Sequence, residues 1–133
     1  MKTILLKRAI SYYRSAVKTP SAIDMQRNCA WVFAQEHGIE IIHEEADIGQ
    51  SGLSINRPGL TNIFQNWILN GDAPTFDYVL IYDFSRWGRF RDLHAVSDFE
   101  LLCTLHGRRV IYVAKFLSST FALTHEQLPP LVQ

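Results

Sequence analysis

Two cysteines in 133 residues, Cys29 and Cys103, are too few for a disulfide framework, and neither belongs to a C-x-x-C pair. Both fall in segments expected to be helical, so they read as buried thiols of a reduced, cytoplasmic protein. Long apolar runs are missing too. The N-terminal MKTILLKR holds three consecutive apolar side chains, short of a signal-peptide core, and nothing later approaches a bilayer span. His37, His43, His94, His106 and His125 are scattered without ligand spacing, which leaves no metal site to expect and reads as packing or surface. Neither G-x-G-x-x-G nor G-x-x-x-x-G-K-[ST] occurs, so nucleotide binding through those loops is unsupported and no cofactor is expected. Net charge is zero, with 13 Lys and Arg against 13 Asp and Glu. That balance excludes a surface basic throughout, but not a small basic site inside a neutral envelope.

What is present is an ordinary globular composition, 47% hydrophobic and 20% charged, on a chain long enough for one core. The basic residues are skewed, nine Arg to four Lys, toward the planar side chain that grips phosphate and carboxylate through paired donors. Ala9 to Tyr13 reads as a strand, rich in β-branched and aromatic residues. Ser21 then offers an N-cap with Asp24 three residues on, and Ile23, Ala30, Phe33 and Ala34 recur at helical spacing up to Gly38. Ile39 to His43 reads as a second strand, followed by a long polar loop, EEADIGQSGLSINRPG. Pro58 suits a first helical turn, and Leu60, Ile63, Phe64, Trp67 and Ile68 make an unbroken apolar stripe. Tyr78 to Tyr82 reads as a strand covered on both faces, Leu93 to His106 as a helix burying Val96, Phe99 and Cys103 and ended by Gly107, and Val110 to Val113 as a fourth strand. The order β-α-β-α-β-α-β predicts one α/β domain built on a mostly parallel sheet.

In such a sheet, ligands bind beyond the carboxyl ends of the strands. Arg14 and Ser15 end the first strand. The loop after the second carries Asp47, Ser51 and Arg57. After the third come Asp83, Ser85, Arg86, Arg89 and Arg91, and the stretch from Phe84 to Arg91 holds three arginines and no acid. Any one of these arginines is readily explained as a surface ion pair of little energetic worth. Three loops converging on one edge point instead to an anion site, where several guanidinium groups can neutralise charge on phosphate oxygens.

These residues, in this order, resemble the resolvase/invertase family of serine recombinases. AISYYRSA is similar to the family's Y-x-R-x-S strand, SAIDMQR to the segment carrying its glutamine, DIGQSGLSINRPGL to its D-x-G-x-S-G…R-P-G-L loop, and VLIYDFSRWGRF to its third strand and arginine turn. The match covers roughly the first 115 residues. The resemblance implies a three-layer α/β/α fold with a four- to five-stranded sheet, spanning residues 1–133 as a catalytic domain. A dimer helix and a DNA-binding domain would lie outside these residues, so the chain is expected to be a fragment. It implies double-stranded DNA as the partner, a homodimer that pairs into a tetramer, no membrane association, and metal-free strand cleavage through a phosphoserine bond. Arg14, Arg57, Arg86 and Arg89 would surround the scissile phosphate with Ser51, and Tyr12, Gln26, Asp47, Asp83 and Arg91 would bind or support. One departure is central: Ala16 stands where Y-x-R-x-S has its nucleophile. Three accounts stay open: a natural inactive relative that only binds or regulates, Ser15 re-aimed as the nucleophile, or a serine replaced deliberately. A second departure puts Ser85 where many relatives carry Asp. An unrelated α/β phosphate-ester binder is the outlying alternative.

Overall fold

The computed structural model describes residues 6–49, 57–86 and 93–116. Four strands, β1 (Lys7–Ser15), β2 (Ile39–Ile48), β3 (Tyr78–Ile81) and β4 (Arg109–Tyr112), form one parallel sheet in the order β2-β1-β3-β4. Helix α1 (Asp24–Glu36) links β1 to β2. Helix α2 (Pro58–Asn62) continues into a π-helical turn (Ile63–Ile68) on the way to β3, and α3 (Leu93–Leu105) links β3 to β4. The expected α/β order and parallel sheet are both observed.

Alternation along β1 supplies both faces of the core. Ala9 and Tyr13 pack with Cys29, Ala30 and Phe33 under α1. Ile10 and Tyr12 pack with Leu60, Ile63, Phe64, Ile68 and Cys103 under α2, its π turn and α3. Each buried Ile, Leu or Phe among them contributes roughly 1.5–3 kcal/mol from water exclusion, the alanines less. The result is three layers, with α1 on one face of the sheet and α2 and α3 on the other. No helix among the described residues is long and apolar enough to cross a membrane.

The strand order has a consequence for function. From β1 the chain moves outward through α1 to β2; from β3 it moves the opposite way through α3 to β4. Right-handed crossovers in opposite directions must use opposite faces, as these do. The loops leaving β1 and β3 therefore part company at a topological switch point, the crevice where open α/β sheets bind ligands.

Three local expectations need correction. Ser21 caps nothing; the chain enters α1 through a 3-10 turn at Pro20–Ile23, and no side chain caps either element. β2 does not stop at His43 but runs to Ile48, because polar residues in EEADI take partners across the sheet rather than solvent. The stripe from Leu60 to Ile68 is buried as expected, yet its second half is a π turn closed by a Leu69 N–H to Phe64 C=O bond of 2.8 Å. The wide turn carries Trp67 onto the ring of His43, with centroids 4.4 Å apart.

Candidate functional site

The site begins with a bulge. Ala9 pairs with Ile41 but Ile10 pairs with His43, so Ile42 is an extra residue in β2. One inserted residue inverts every later side chain of the strand. Glu44 then faces α1, while His43, Glu45 and Asp47 face α2. In this register Arg14 lies directly across from Asp47, and Tyr12 across from Glu45.

Asp47 is buried, and both its oxygens are occupied. Oδ1 accepts from the Gly59 N–H at 2.8 Å; Oδ2 accepts from the Leu60 N–H at 3.0 Å and the Tyr12 hydroxyl at 2.8 Å. It thus satisfies two of the amide groups that the first turn of α2 leaves unpaired, and favours that end electrostatically. Gly59 is needed for this approach, because a Cβ there would come within 3.1 Å of both carboxylate oxygens. Pro58 opens the helix and Arg57 is the residue before it, so seating α2 on Asp47 also seats Arg57. The Tyr12 hydroxyl is pushed above its ordinary range by burial and by Asp47. It is a neutral donor to Asp47.

Arg14 is held through its backbone as well as its side chain. β3 pairs with β1 only as far as Tyr12, leaving the β3-side edge of Arg14 without a strand. The Gln26 amide fills that place: Oε1 accepts the Arg14 N–H at 3.3 Å and Nε2 donates to the Arg14 C=O at 2.9 Å. Gln26 mimics one peptide unit of the missing neighbour.

After β3, a single 3-10 turn (Phe84–Arg86) brings the third arginine. Asp83 Oδ1 accepts from the Ser85 N–H at 3.1 Å and from the Ser85 hydroxyl, and lies 3.7 Å from Arg86 Nε. Ser85 and Asp83 together make the turn.

The three arginines meet at the switch point. Arg14 donates through Nε to the Arg86 C=O at 3.2 Å and through a terminal nitrogen to the Ser85 C=O at 2.9 Å. Arg57 donates to the same Arg86 C=O at 3.1 Å, and Arg86 donates back to the Arg14 C=O at 3.3 Å. Arg14 and Arg57 are only 7% and 8% exposed, so their charges sit in a partly dry site where electrostatic effects are strong. Arg86 Nε is buried and makes no hydrogen bond among the described residues.

Ser15 is placed differently. It pairs with Ile48, whose side chain packs with the α1-side cluster, and alternation sets it opposite to Arg14. Its hydroxyl accepts the Val17 N–H at 3.0 Å in a local turn. Ser51, Arg89 and Arg91 lie outside the described residues.

The sequence reading missed a second polar network on the α1 face. Glu44, fully buried, accepts from Arg27 Nε and one terminal Arg27 nitrogen at 2.7 and 3.1 Å, from the Tyr13 hydroxyl at 2.7 Å and from the Trp31 ring N–H at 3.0 Å. His43 and Asn62, both 2.5 Å from Glu45 Oε2 on the other face, were missed for the same reason. Reading EEADI as loop hid them; the only available signal was two glutamates flanked by strand-forming residues.

A family model described as the N-terminal domain of resolvase matches residues 9–120. Among solved structures, the C-terminal catalytic domain of ISC1926 TnpA, an IS607-like serine recombinase, is 27% identical and superposes with a TM-score of 0.66, over 80% of this chain and 69% of that one. The N-terminal catalytic domain of TP901-1 integrase shares the fold at 24% identity and a TM-score of 0.68, over 82% and 79% of the two chains. So does a resolvase family site-specific recombinase from Streptococcus pneumoniae, at 23% identity and 0.68, over 86% and 76%. No curated protein matches.

Proposed function

The chain belongs to the serine recombinase family as a resolvase-type N-terminal catalytic domain, and from that premise we propose that it binds a DNA phosphodiester at Arg14, Arg57 and Arg86. One observation carries the reading: two guanidinium groups, one from the end of β1 and one from the residue before α2, donate to a single oxygen, the Arg86 carbonyl. A phosphate oxygen offers the same acceptor with more negative charge, and charge-assisted bonds are roughly twice as strong as neutral ones. DNA would then displace the carbonyls of Ser85 and Arg86, and Arg86 Nε, which makes no hydrogen bond among the described residues, supplies a further donor. Arg89, Arg91 and Ser51 complete the proposed site. Asp47, Gln26, Tyr12 and Asp83 hold the arginines in place.

Cleavage by this family's chemistry needs a serine hydroxyl attacking phosphorus, with the sugar oxygen leaving and a phosphoseryl bond holding the end. Ala16 offers no hydroxyl, and Ser15 lies on the face away from Arg14 with its oxygen engaged by Val17. We therefore read the chain as binding DNA without cutting it. Cleavage by a re-aimed Ser15 is the second reading, favoured by that residue's place beside Arg14 at the end of β1.

Binding of a labelled DNA duplex, followed by anisotropy across a salt series, tests the first reading. Arg57→Ala and Arg86→Ala each take one cation away from the phosphate, and each should lower the slope of log affinity against log salt by about one. Unchanged slopes refute the site. A nicked suicide duplex separates the two chemical readings: no covalent adduct with the native chain and an adduct with Ala16→Ser supports binding alone, whereas an adduct lost in Ser15→Ala establishes Ser15.

A further inference from the structure

After the bulge, three successive α2-facing residues of β2 each hold one point of the segment that follows Arg57. Asp47 takes the Gly59 and Leu60 amides, Glu45 takes the Asn62 side-chain amide, and His43 stacks on Trp67. The two segments run past each other, joined at these points like the rungs of a ladder. The five residues of α2 and the six of its π turn are together still too short to hold a helix in water, so packing and these contacts set its orientation. Asp47 pins the N-terminal end, and the burial of Leu60, Ile63, Phe64 and Ile68 seats the apolar face. Glu45 adds a polar fixed point next to the turn that carries Arg57.

We infer that Glu45 is a positioning residue for Arg57. Its Oε2 accepts from Asn62 Nδ2 at 2.5 Å while the same oxygen lies 2.5 Å from His43 Nε2, so the carboxylate is held from both sides. The side chains of His43 and Glu45 are 8% and 18% exposed, so water does not readily replace either partner. Asn66 donates to the Asn62 side-chain oxygen and leaves its amide aimed at Glu45. Among the described residues no hydrogen bond or ion pair joins Glu45 to Arg57 or Arg86; it acts through the helix that Arg57 precedes. The inference rests on the DNA-phosphate reading above.

The test is a double-mutant cycle on DNA affinity, measured with the 133-residue chain and a fluorescein-labelled duplex of mixed sequence at low salt. Glu45→Ala should weaken binding roughly tenfold, the effect of removing one charge-assisted bond, while Glu45→Gln keeps an acceptor for Asn62 and stays near the native affinity. Asn62→Leu breaks the same bond from the helix side and should match Glu45→Ala. In an Arg57→Ala background, Glu45→Ala should add nothing. Equal weakening in both backgrounds means a general structural defect and overturns the inference, as does native affinity in Glu45→Ala. If Arg57→Ala itself leaves affinity unchanged, the DNA site falls first, and the positioning role falls with it.

Discussion

Asp47→Asn changes one oxygen to nitrogen and leaves shape and volume almost untouched, so its effect isolates the carboxylate. Three donors converge on Asp47: the amides of Gly59 and Leu60 and the hydroxyl of Tyr12. An asparagine can turn its oxygen toward Tyr12 and Leu60, but its NH₂ then faces the Gly59 N–H, donor against donor. The reverse orientation loses two partners. In the better case one buried donor goes unsatisfied, at about 1–3 kcal/mol, and two charge-assisted bonds become neutral, at about 1 kcal/mol each. The expected loss is therefore about 3–5 kcal/mol, a large part of the roughly 5–15 kcal/mol that holds a domain of this size. Urea unfolding followed by circular dichroism measures it, with a lower midpoint and an unchanged slope. Tyr12→Phe should lose only about 1–2 kcal/mol, and the two changes should couple, because they share one bond. A stability within about 1 kcal/mol of native for Asp47→Asn would falsify the claim that this carboxylate seats α2.

Three further expectations follow from the same contacts. The hydroxyls of Tyr12 and Tyr13 are both pushed above the ordinary value of 10.0, by burial first and then by Asp47 and Glu44 respectively. Their stabilising effect is fully present below pH 10 and drains away as the unfolded chain ionises above it, by up to about 1.4 kcal/mol per pH unit for each group; Tyr12→Phe should flatten that alkaline decline, and an identical slope would refute the assignment. Burial, with Glu100 adding, raises the Cys103 thiol to about 12, so a thiol reagent should label it far more slowly in the native chain than in urea, and fast native labelling would contradict its burial. Gly59→Ala forces a methyl against the Asp47 oxygens and should cost about 1–3 kcal/mol by overpacking, with little added cost once Asp47 is itself Ala.

The apolar periodicities made the number, order and type of elements legible, because burial on two faces of a parallel sheet leaves a pattern that short-range spacing reveals. The presence of arginines at the end of β1 and in the segments after β2 and β3 was equally readable. Their meeting at one carbonyl oxygen is a tertiary fact, since Arg14 and Arg86 are far apart in sequence and only the order β2-β1-β3-β4 makes their loops neighbours.

Other features were hidden because they break local rules. Glu44 and Glu45 sit side by side in the chain, yet one pairs with Arg27 beneath α1 and the other with Asn62 on the opposite face. Their strand looked like a loop because buried carboxylates with satisfied partners have the same composition as solvated ones. The residues alone established an α/β chain with a strongly suggestive arginine pattern. The bulge at Ile42 decided which acids face those arginines, and the end of β1 decided which way Ser15 faces. A period of two residues has no intrinsic phase, so only the neighbouring strands and helices could set it.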